Sequence, residues 1–74
     1  MEYSPEFKNN HQTAYLAEEY ERLEKEALEA RSLAEGDEAL ADMAREDLER
    51  IHARQQEILA DIEKIVEKDK EVAA

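Results

Sequence analysis

The sequence predicts an all-α protein, an antiparallel two-helix hairpin (a short helical coiled coil) preceded by a short N-terminal helical turn. Three observations carry this. One glycine and one proline among 74 residues is far below ordinary usage, and helix interiors exclude both. Apolar residues recur in two separate runs at alternating steps of three and four, the signature of a helical seam. The single glycine stands between those runs, at Gly36-Asp37, where the chain must turn.

The first element is the start itself. Ser4-Pro5-Glu6-Phe7 sets a capping residue, a proline at the first helical position and an acid in the first turn, which together open a helix. Asn9-Asn10-His11-Gln12-Thr13 follows, polar and poor in helix preference. Residues 4–9 are therefore expected to form a short turn that breaks here, with one continuous helix as the alternative. The lead-in segment, 1–12, is set apart from the hairpin, 13–74.

The first long helix is expected at about 13–35. Its seam is Leu16, Tyr20, Leu23, Ala27, Ala30 and Ala34, widened by Leu28 and Leu33. Glu18-Arg22 and Glu21-Lys25 are acid-before-base pairs one turn apart, each expected to add a few tenths of a kcal/mol. Gly36 suits a left-handed residue just past the helix end. Asp37 can cap the next helix and Glu38 favours its positive end. So short a link makes the two helices antiparallel.

The second helix is expected at about 38–69. Its seam is Ala41, Ala44, Leu48, Ile51, Gln55, Ile58, Ile62 and Ile65, broadened by Leu40, Met43, Leu59 and Val66. Antiparallel pairing sets Ala27, Ala30 and Ala34 against Ala41, Ala44 and Leu48. It sets Leu16, Tyr20 and Leu23 against Ile58, Ile62 and Ile65. The core is thus expected to be thin near the turn and thicker at the open end. Tyr3 and Phe7 are candidates to pack across that open end. Gln55 interrupts an Ile/Leu seam, where a polar residue either fixes register or reaches water.

Composition excludes several kinds of function. The net charge is -11, with 42% of residues charged. Residues 1–36 carry 9 acids and 4 bases, and residues 37–74 carry 12 and 6, so the acidity is spread evenly. Such a surface repels nucleic-acid phosphates and anionic membranes. A protein partner, basic in character, is the expectation. No apolar stretch approaches the roughly 18 residues of a membrane span, and the acidic N-terminus is not a secretory signal. With no cysteine there is no disulfide or thiolate site, and a cytoplasmic location is expected.

Candidate chemistry is sparse. Glu49 and His52 form Glu-x-x-His on a helix, a spacing that supplies ligands to di-iron bundles. Glu49 lies on the outer side of the seam and His52 borders it, which reads as an exposed polar face, and His11 lies in the polar break. No nucleophile sits with a base, and no glycine-rich loop or basic cluster exists. No catalytic, cofactor-binding or metal-ligating residue is assigned, no cofactor is expected, and the chain is read as not an enzyme.

The residue order adds a resemblance. Tyr15-Leu16-Ala17-Glu18-Glu19-Tyr20-Glu21-Arg22-Leu23 and Asp37-Glu38-Ala39-Leu40-Ala41-Asp42-Met43-Ala44-Arg45-Glu46-Asp47-Leu48 resemble the first long helix, and then the turn and second helix, of the N-terminal helical domain of bacterial class-I peptide chain release factors, release factor 1 above all. Ser4-Pro5-Glu6-Phe7 looks like the family's start, and Glu63 to Glu71 like the run into its next domain. Between Tyr20 and Asp37 the first helix is shorter than the commoner family form. The family's Gly-Gly-Gln loop and its codon-reading domain are not in this sequence. The resemblance implies a fragment or stand-alone relative with no catalysis of its own. It implies a positioning role on the ribosome in translation termination, with ribosomal and termination-associated proteins as partners. The alternative is a generic acidic helical hairpin for interaction or dimerisation, which in isolation would pair with a second copy to cover its apolar face.

Overall fold

The hairpin is built around its second helix. In the computed structural model, which describes the backbone of residues 1–73 and side chains through Lys68, a 3-10 turn (Pro5–Asn9) precedes α1 (Ala14–Gly36) and α2 (Glu38–Ala73). Among the described residues there is no strand. Thirty-six residues at the roughly 1.5 Å rise of an α-helix account for the 54 Å long dimension of the molecule. No described helix is long and apolar enough to cross a membrane.

The N-terminal break falls where the polar run predicts it. Ser4 caps the 3-10 turn by accepting a hydrogen bond from the Glu6 N–H, and Pro5 occupies its first position. Asn10 then accepts from the Gln12 N–H through its side chain. Thr13 joins the segment to α1. It is fully buried, and its hydroxyl donates to the Phe7 carbonyl at 2.6 Å.

α1 ends one residue later than expected and ends differently. Gly36 is the last residue of α1 and has no positive φ, so the expectation of a left-handed glycine is incorrect. The reversal is made instead by Asp37, extended at φ -146°, ψ 112°, whose N–H donates to the Leu33 carbonyl. A left-handed residue is unnecessary when one extended residue can redirect the chain. Asp37 also caps α2, accepting from the Ala39 N–H at 2.9 Å. α2 runs four residues past the expected 69.

Both seams face each other. Leu16, Ala27 and Ala30 of α1 are buried, as are Ala44, Ile51, Gln55, Ile58 and Ile62 of α2. The apolar centre lies away from the turn, where Leu16, Ile58 and Ile62 gather Phe7, Tyr20, Leu23, Ile65 and Val66 around them. Leu59 is buried as well. The other flanking residues do not join the core. Leu28, Leu33, Leu40 and Met43 are 61%, 51%, 39% and 64% exposed. The expectation that they widen the apolar face is corrected for a geometric reason. Alanines bring the two helices close near the turn, and flanking positions there have no third element to cover them.

Candidate functional site

Three constellations organise the surface, one at the open end, one in the middle of the hairpin and one near the turn. At the open end, Tyr3 lies flat on Tyr20, with ring centroids 4.3 Å apart and planes within 5°. It meets Phe7 edge-on at 5.9 Å. The Tyr3 hydroxyl donates to one oxygen of Glu21, and the Lys8 ammonium donates to the other at 2.8 Å. Glu21 is therefore held by the lead-in segment rather than by Lys25. These hydrogen bonds, Lys8 foremost, lower the Glu21 pKa. Burial, reinforced by the Glu21 hydrogen bond, pushes the Tyr3 hydroxyl well above its ordinary value. Burial likewise raises Tyr20, with the charge of Glu24 adding to it.

In the middle of the hairpin a polar layer crosses the seam. Gln55 is only 4% exposed and donates through Nε2 to the Tyr20 carbonyl at 3.3 Å and to Glu24 Oε1 at 3.0 Å. Of the two readings open for this residue, reaching water is set aside, because both of these acceptors lie on α1. They tie Gln55 to α1 in the register observed, the role open to a polar residue at a seam position. Beside it, Arg54 grips Glu19 with two parallel hydrogen bonds, 3.1 Å from Nε and 3.0 Å from Nη2. A third reaches Glu57 at 3.1 Å. The Arg54 contact lowers the Glu19 pKa. Such bidentate geometry adds orientation as well as energy, so this pair fixes α1 against α2 across 35 residues of sequence.

Near the turn the helices leave a cleft of about 310 Å³ on one flank. Ala30 and Ile51 form its floor, both buried. Glu26, Glu29 and Leu33 line it from α1, and Asp47 and Arg50 from α2. Arg50 is turned onto Asp47 at 2.9 Å. Met43 and Leu40 stand one and two helical turns before Asp47 on the same face of α2, and both are exposed.

The histidines take no part in any of the three. His11, His52 and Glu49 are all exposed. Among the described residues no three His, Cys, Asp or Glu side chains gather as a metal-holding group. Sequence reasoning found the aromatic lead-in but missed Thr13, whose hydroxyl contact lies six residues back in the chain. It also missed the cleft. Glu26, Glu29 and Leu33 do recur at helical spacing beside Ala30, but the matching flank of α2 becomes adjacent only after the chain has turned. No family model, no curated protein and no solved structure matches this chain.

Proposed function

We propose that the chain acts as an N-terminal positioning module of a peptide chain release factor of the release factor 1 type, or as a fragment or relative of one. In this reading it works in the cytoplasm. It contributes no catalysis, and it helps seat its parent factor among ribosomal and termination-associated proteins. The observation that supports the reading is the stretch Asp37–Leu48, whose order of acids, alanines and spaced apolar residues resembles the family's turn and second helix. Its first residue, Asp37, makes the reversal and caps α2.

The experiment is a domain exchange. This chain replaces the first helical domain of a bacterial class-I release factor, and peptide release is measured on ribosomes carrying a stop codon. Release near that of the parent factor supports the reading. Release no better than that of the factor lacking its first domain counts against it.

A free-standing interaction hairpin is the second reading, favoured by the exposed apolar residues near the turn. Under this reading the chain shows its binding behaviour with no parent factor, and the domain exchange fails.

A further inference from the structure

We infer that the cleft near the turn is a docking groove for a basic amphipathic helix of a partner protein. The groove has an apolar floor, Ala30 and Ile51, and an acidic wall, Glu26 and Glu29 on α1 with Asp47 on α2. Leu33 lines it, and the exposed Met43 and Leu40 stand one and two helical turns before Asp47 on the same side of α2. Exposed aliphatic side chains beside a cavity offer seats for apolar anchors, while flanking carboxylates select Lys or Arg at the borders of the same helix face.

Geometry narrows the shape of the occupant. The cleft runs between two antiparallel helices, and a third helix laid along such a groove packs its ridges into theirs. Charge narrows its chemistry. Only Arg50 opposes the acids lining the groove, and it is already turned onto Asp47. The whole chain carries a net charge of -11. A nucleic acid or an anionic membrane would be repelled. A second copy is disfavoured for the same reason. A two-fold pair brings identical patches together, so two acid-lined grooves would face each other. The inference does not depend on membership of a release factor, since it rests on the groove alone.

The test uses the full chain and a labelled amphipathic peptide of Lys and Leu at helical spacing, with a Glu-for-Lys peptide as control. Binding is followed by fluorescence anisotropy, and the bound surface by amide chemical shifts. The expected result is binding of the basic peptide alone, with shifts centred on Ala30, Leu33 and Met43. Leu33→Asn combined with Met43→Asn, which removes the apolar seats without adding charge, should weaken it by about tenfold or more. Both residues are exposed, so circular dichroism should show the hairpin intact. Glu26→Lys with Glu29→Lys should weaken binding far more than Glu63→Lys with Glu67→Lys, which changes net charge equally at the other end. Equal losses from the two lysine pairs would reduce the effect to general charge attraction and overturn the inference. Failure of the basic peptide to bind would do the same. So would sedimentation of the chain as a dimer that Leu33→Asp dissociates.

Discussion

The two ends of the hairpin are held together by different means. Away from the turn, large side chains from three segments converge. Phe7 and Tyr3 come from the lead-in, Leu16, Tyr20 and Leu23 from α1, and Ile58, Ile62, Ile65 and Val66 from α2. Beside the turn, two helices approach over Ala27, Ala30 and Ala44, and large apolar side chains are left outside. Apolar burial stabilises by roughly 25 cal/mol per Å², so the open end supplies most of the hydrophobic stabilisation. The turn end supplies proximity and an uncovered surface. In a two-helix fold, small residues at an interface therefore do not simply thin the core. They also turn the neighbouring large residues into surface.

The strongest way to break this contrast is to empty the open end. Ile58 is fully buried, and Ile58→Ala should cost about 2–4 kcal/mol. A single core of this size provides only roughly 3–5 kcal/mol, so urea unfolding followed by circular dichroism should show most of the stability gone. At the other end the sensitive change is an addition. Ala44 is buried between the helices' facing seams, and Ala44→Leu should cost about 1–3 kcal/mol by overpacking that interface. Unchanged stability in that variant would mean that the helices near the turn are not in close contact.

Tyr3→Ala comes next, at about 1–2 kcal/mol, because it removes the stacking on Tyr20 and the edge contact with Phe7. The smallest mutational effect is of opposite sign. Gly36 is helical with a negative φ, and a Cβ placed there meets nothing within 4 Å. Gly36→Ala should therefore raise stability by about 0.5 kcal/mol, read as a higher melting temperature. A loss there would show that the glycine is needed at the reversal after all.

Proton linkage separates the two ends further, and the signs follow from the shifts. The Glu21 carboxyl is held below its ordinary 4.5. Its contribution is present above 4.5 and is lost as pH falls through the lower folded value. Tyr3 is raised above its ordinary 10.0. Its contribution is full below 10 and declines as pH rises from there towards the folded value. Melting across pH should show both losses, and Tyr3→Phe should abolish the Tyr3 part of the alkaline one. Both groups lie at the open end, so the turn-end amides should follow these transitions only through global unfolding.

Most of the fold was legible in the residue order. The periodic seams identified which faces meet, because a helix returns a side chain to the same side every three or four residues whatever its surroundings. Ser4-Pro5, the polar break after Asn9 and the cap at Asp37 were legible because each acts on backbone groups a few residues away. The conformation of Gly36 was misread because the preference of glycine for left-handed backbone is a permission and not a requirement. The local pairing of Glu21 with Lys25 was misread because the lead-in segment supplies Lys8 and Tyr3 to the same carboxylate. Leu28, Leu33, Leu40 and Met43 look like core from spacing alone, and only the number of neighbouring elements decides otherwise.

Residue order alone sets the number of helices, where they part, their antiparallel course and which end carries the bulk. All of these follow from local backbone preference and side-chain period. The packing of one helix on the other sets the rest. It gives Gln55 its contacts on α1, brings Arg54 to Glu19 of the opposite helix, and opens an acid-walled cleft beside the turn. Each of these joins residues far apart in the chain. Their distance is set by how closely two helices pack, which no local preference records.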